Sequence, residues 1–100
     1  MRTFVVRRDI AGVGRFDQQQ LGDAAKVANE AMARLAPDVQ WVHSFVTGDA
    51  TFCTYLARDE EDVRRHAELS GFPASSIHEV RGMFDPTTGS ARRSAARGSR

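Results

Sequence analysis

Few side chains in this sequence offer chemistry. The nitrogen and sulfur donors are His43, Cys53, His66 and His78, and Glu60, Glu61, Glu79 and Asp49 add oxygen donors. Imidazole suits zinc, copper, iron and nickel, and a thiolate adds a preference for the softer ions. The donors follow no chelating spacing: there is no Cys-x-x-Cys, no pair of His four apart and no Glu-x-x-His. Any metal site must therefore be assembled from separate elements. Ordinary roles compete at every position. His43 suits a hydrogen-bonded sheet histidine as well as a ligand or an acid/base group. Cys53 reads first as a small buried hydrophobe. His66, after Arg64-Arg65, sits at the border of a helix face. His78 divides between solvent and site, and Trp41 and Phe45 are more often packing residues than a cofactor box.

These residues must be positioned by the stretch 41–57. Two β-rich runs, 41–47 and 51–56, flank Gly48-Asp49. A glycine at the first central position is what a type II′ hairpin turn requires. With a two-residue turn His43 faces Thr54 and Ser44 faces Cys53. Trp41, His43, Phe45, Phe52, Thr54 and Leu56 then share one face, opposite Val42, Ser44, Val46, Cys53 and Tyr55. A three-residue turn would instead bring His43, Phe45, Cys53 and Tyr55 together. The sequence leaves both registers open, and the register decides whether His43 and Cys53 can meet.

The flanking elements complete a known order. Residues 3–10 are β-branched and aromatic enough for a strand with Phe4, Val6 and Ile10 on one face, and 11–14 reads as a plain connection. Asp17 with Gln20 forms a capping-box pattern, Phe16 and Leu21 a hydrophobic staple. Leu21, Ala24, Ala25, Ala28, Ala31, Met32 and Leu35 give a small-residue helix face, and Pro37 ends it. Asp59 caps a second helix with Val63, Ala67 and Ser70 on its inner face, stopped by Gly71-Phe72-Pro73. Residues 76–84 read as a last strand. The order β-α-β-β-α-β predicts an α+β, ferredoxin-like domain: a four-stranded antiparallel sheet with two helices on one face. The other face stays open, and an open face with aromatic side chains is normally covered.

Composition sets outer limits. The 100 residues are 41% hydrophobic and 27% charged, as in one soluble domain, here residues 1–84. That body has 12 acidic against 10 basic residues, while residues 85–100 have one Asp against four Arg and few apolar groups. We expect a disordered basic tail there, with no specific nucleic-acid partner. No apolar run is long enough to span a bilayer, so a cytoplasmic protein without a membrane partner is expected. One Cys cannot form an internal disulfide. Thirteen of the 14 basic residues are Arg, which with the high Ala content suggests a GC-rich bacterial genome.

Trp41-Val42-His43-Ser44-Phe45-Val46, Phe52-Cys53-Thr54-Tyr55, Asp59-Glu60-Glu61-Asp62-Val63-Arg64-Arg65-His66-Ala67, Gly71-Phe72-Pro73 and Ile77-His78-Glu79-Val80 resemble a family. It is that of the small bacterial nickel-binding proteins of ferredoxin-like fold, long catalogued as a domain of unknown function. The similarity runs from Phe4 to about Val80. It implies a homodimer of ferredoxin-like subunits that can bind nickel; with the open sheet face as the expected interface, the first functional expectation is a dimer that handles nickel, or another divalent transition metal, by storage, buffering or sensing. The matching positions that could supply metal donors are His43, Cys53 and His66. The competing reading is a small cofactorless enzyme of the dimeric α+β barrel type, a monooxygenase or isomerase acting on a planar molecule, with His43, Tyr55 and Trp41 as candidates. No nucleophile-base-acid set is legible, so no catalytic residue is assigned. A third reading, RNA recognition on this topology, lacks the basic-Gly opening of the third strand.

Overall fold

Our computed structural model of the chain describes residues 1–89. Alternation shapes β1 (Arg2–Asp9), in which Phe4, Val6 and Arg8 are buried on one face, while Thr3, Val5, Arg7 and Asp9 take the other. A 3-10 turn (Val13–Arg15) leads to α1 (Gln18–Leu35), followed by β2 (Val39–Val46), β3 (Ala50–Ala57), α2 (Glu60–Ser70) and β4 (Ser76–Glu79). The strands lie in the order β2-β3-β1-β4, every neighbouring pair antiparallel. This is the ferredoxin-like α+β arrangement expected from the element order.

Both helices start and stop where their end chemistry dictates. The Gln20 amide donates to Asp17 Oδ1 (2.8 Å) and the Asp17 amide to Gln20 Oε1 (2.9 Å), which closes the capping box of α1. Ala36, in front of Pro37, is already extended. The Asp62 amide donates to Asp59 Oδ1 (3.0 Å) at the start of α2, whose first turn holds Glu60, Glu61 and Asp62 against the positive helix end. Gly71 ends it at φ 78°, a left-handed conformation that favours glycine, and its amide donates to Ala67 O. The core joins Phe4, Val6, Val39, Cys53, Tyr55, Ala57 and Val63, with Leu35, Trp41, Ala74 and Ile77 packed against it.

Four local expectations are corrected. The hairpin has the two-residue register, with Val46 opposite Thr51 and the Thr47 amide donating to Ala50 O, but neither Gly48 nor Asp49 has a positive φ. The turn is therefore not type II′. Its shape is set by the preceding loop, which is no plain connection: the Ile10 and Gly14 amides donate to Asp49 O and Gly48 O, and the Gly12 amide donates to Asp49 Oδ1. Glycine is required at position 14, where a Cβ would sit 2.8 Å from Thr47 O and 2.9 Å from Gly48 Cα. The last strand stops at Glu79 rather than residue 84. Glu79 pairs with Phe4 and the Val80 amide still donates to Thr3 O, but β1 begins at Arg2 and has little more ladder to offer. Finally, His66 is fully buried rather than at the edge of its helix. Residues 86–89 form one helical turn, with the Thr87 and Thr88 amides donating to Asp85 Oδ1. The remainder of the expected disordered tail lies outside the described residues.

Candidate functional site

A bulge in β2 decides what each side of the sheet carries. Trp41 pairs with Tyr55 and His43 with Thr54, so Val42 is an extra residue against β3. Below the bulge the expected alternation holds, and His43 and Phe45 lie on the open face with Phe52, Thr54 and Leu56. Above it the alternation inverts. Trp41, expected beside His43, instead packs on the core side with Tyr55, and its Nε1–H donates to Ser44 Oγ (3.0 Å).

The open face carries a histidine at each end of one row. His43 pairs with Thr54, Thr54 with Val5, and Val5 with His78, so the row crosses all four strands. His43 Nε2 lies 3.4 Å from Thr54 Oγ1, and its ring meets Phe45 edge-on at 5.1 Å. Phe45 is 63% exposed. Three strand spacings of ~4.8 Å put His43 and His78 about 14 Å apart. One subunit therefore cannot bring both imidazoles to one ion.

On the helix side lies a second polar group of residues. The buried Arg8 guanidinium donates through Nη1 to Phe72 O (3.2 Å) and Pro73 O (2.8 Å), and through Nη2 to Tyr55 Oη (3.0 Å). Burial pushes the Tyr55 phenol above its ordinary pKa, against the pull of the Arg8 charge, so Tyr55 is a proton holder at neutral pH. The Tyr55 ring lies 5.1 Å from that of His66. His66 Nε2 lies 3.0 Å from Ala28 O, which can only accept, so the proton of the neutral ring sits on Nε2. Nδ1 is then a buried acceptor with no partner. Burial holds this imidazole below its ordinary pKa, the Ala28 bond opposes that, and the nearby Arg8 charge adds to it. Cys53, also on this side, lies with Sγ 3.5 Å from Thr51 Oγ1.

The expected donors are thus divided. His43 stands on the open face, whereas Cys53 and His66 are enclosed behind the sheet, and the two-residue register keeps His43 from Cys53. Among the described residues no group of three or more His, Cys, Asp or Glu side chains could hold a metal ion. A single subunit does not fit a closed metal site. The enzyme candidates are divided in the same way, since Tyr55 and Trp41 line a cavity behind the sheet and His43 faces away from it. Sequence reasoning passed over Arg8. The signal was available: it continues the buried alternation of Phe4 and Val6, and a charge on a core face asks for a reason.

Among the described residues no helix is long and apolar enough to cross a membrane. No curated protein matches the chain. Among solved structures, the crystal structure of SCO4226 from Streptomyces coelicolor A3(2) superposes with a TM-score of 0.70 at 20% identity, covering 82% of this chain and 99% of that one. At that identity the likeness shows the fold alone. The family model described as "Nickel responsive protein SCO4226-like" matches residues 4–80, from the first buried residue of β1 to the residue after β4. With over three quarters of its length covered by that match, the chain belongs to the SCO4226-like nickel-responsive family.

Proposed function

We propose that this chain is a nickel-responsive metal-binding protein that acts as a homodimer joined across the open sheet face, with His43 as a ligand. The family's description as nickel responsive supports the choice of metal. The row His43, Thr54, Val5, His78 carries the reading from this chain's own residues. A two-fold axis through the middle of that row has two simple orientations in the face. Along the strands it sets His43 over His78 of the partner subunit; across them it sets His43 over its own counterpart. Either pairing gives two imidazoles from two chains, and neutral imidazole is a good nickel ligand.

The rest of the face suits burial. Phe45 and Phe52 are 63% and 36% exposed, and Arg7 lies over the Phe52 ring at 6.0 Å. Covering those two rings supplies an apolar centre for an interface. Cys53 and His66 take no part in this site, because reaching them would require opening the core. The response to nickel is then dimer formation or tightening, which fits buffering or sensing in the cytoplasm.

The test is sedimentation of the wild type, His43→Ala and Phe45→Asp with and without equimolar nickel. The wild type should sediment as a nickel-strengthened dimer. His43→Ala should lose the nickel dependence, and Phe45→Asp should sediment as a monomer. Nickel binding of the same affinity and stoichiometry in all three would remove the proposal.

A further inference from the structure

We propose that the cavity between α1 and the inner face of the sheet binds a small apolar monocarboxylate, with Arg8 holding its carboxylate and Trp41 against its body. The cavity measures about 420 Å³, a volume typical of sites for small organic molecules. It exists because α1 turns Ala24, Ala25 and Ala28 toward the sheet, and side chains this small do not reach it. Of its lining residues Arg8, Cys53, Tyr55 and Val13 are buried, Phe16 and Leu21 are partly exposed and Val46 is exposed.

Arg8 gives this space a chemical preference. It is 2% exposed, and no carboxylate of the described residues lies within 4.0 Å of it, although six other ion pairs are formed. A buried cation without a counter-ion is costly unless something supplies the opposite charge. Its three hydrogen bonds go to two carbonyls and one phenol. A guanidinium has five N–H donors, so Nε–H and one hydrogen on Nη2 have no acceptor among the described residues. Nε is not sealed in the packing, because His66 Nδ1 is the one buried unpartnered side-chain N or O atom among the described residues. Two free donors on a planar cation match a carboxylate, and the Tyr55 hydroxyl stands beside them. The rest of the lining is mostly apolar, with Ile10, Phe16, Leu21 and Phe72 in it, and only Ser44 and Thr51 add hydroxyls. A charged head with a hydrocarbon or aryl body satisfies both ends. The site lies on the opposite side of the sheet from the proposed nickel row, and neither depends on the other.

Trp41 is the only tryptophan and lines the cavity, so its fluorescence reports occupancy directly. Titration of the full chain with octanoate should give a saturable change, and octan-1-ol should bind roughly tenfold or more weakly. Arg8→Met should erase that difference by weakening octanoate alone. Ala24→Phe, which fills the cavity and leaves Arg8 in place, should abolish both responses and guards against a misfolded Arg8 variant. No saturable change in the wild type, equal affinity for acid and alcohol, or undiminished octanoate binding by Ala24→Phe would each overturn the proposal.

Discussion

The buried imidazole of His66 makes stability depend on pH with a sign the structure fixes. The ring is fully buried, Nε2–H is committed to Ala28 O, and Nδ1 faces no acceptor that could stabilise a second proton. Around it stand Tyr55 from β3, held protonated by its own burial, and the positive Arg8 from β1. The folded-state pKa is therefore lowered from the ordinary 6.5. A lowered histidine pKa means that the unfolded chain takes up the proton first. The stability is fully present above pH 6.5 and is lost as pH falls through that value. Each unit below it costs up to ~1.4 kcal/mol while the folded ring stays neutral. Between pH 7.5 and 5 the loss attributable to His66 is then up to about 2 kcal/mol, a large part of the 5–15 kcal/mol typical of a domain. Replacing His66 by Leu isolates this share. At pH 7.5 the variant loses one hydrogen bond worth about 0.5–1.5 kcal/mol and also loses an orphan acceptor that costs about 1–3 kcal/mol, so the two offset. Urea denaturation of both proteins at pH 7.5, 6.5, 6 and 5 is the assay. We expect similar stability at pH 7.5 and a gap that widens by up to about 2 kcal/mol in favour of the variant at pH 5. Parallel curves across the range would show that the folded ring accepts the proton, and the reasoning would fail.

Other consequences are read by the same denaturation assay. Gly14→Ala drives a Cβ to 2.8 Å from Thr47 O and should cost about 1–3 kcal/mol, as overpacking does; a neutral result would show that the hairpin turn is not clamped by the loop. Asp17→Ala removes half of the α1 capping box and should cost about 0.5–2 kcal/mol, whereas Gln18→Ala, inside the helix, should be nearly silent. Tyr55→Phe takes the phenol from Arg8 Nη2 and should cost about 1–3 kcal/mol by leaving a buried cation short of an acceptor. An absorbance titration of the wild type should place the only phenol above its ordinary pKa, and a midpoint below 10 would contradict the burial of that group.

The fold was legible because local and global signals agree. Asp17 with Gln20, Asp59 ahead of three acidic residues, and Gly71 before Pro73 each mark a helix end by chemistry that acts within one turn, and the structure keeps all of them. The hairpin register was legible only as one of two choices, since a one-residue change in turn length costs nothing that composition records. The bulge at Val42 left no mark. It answers to packing of Trp41 beside Tyr55, a contact between strands, and it moved the one tryptophan from the expected face to the other. The loop at 11–14 hides its role for a similar reason, since its amides are satisfied by a turn more than 30 residues away. The donors were found but not their grouping. His43, Cys53 and His66 belong to different faces, and only the register and α2 packing reveal that. Arg8 is hidden in the sequence because it follows Arg7, and an arginine in a strand ordinarily points to solvent.

The reading of the open face as the nickel-binding, dimer-forming surface is tested most directly by a crystal grown with equimolar nickel and measured at the nickel absorption edge. We predict an anomalous peak between two facing sheets, with the His43 imidazole of one subunit and an imidazole of the other as its ligands. A peak away from His43, or a nickel-loaded monomer with the open face bare, would contradict it.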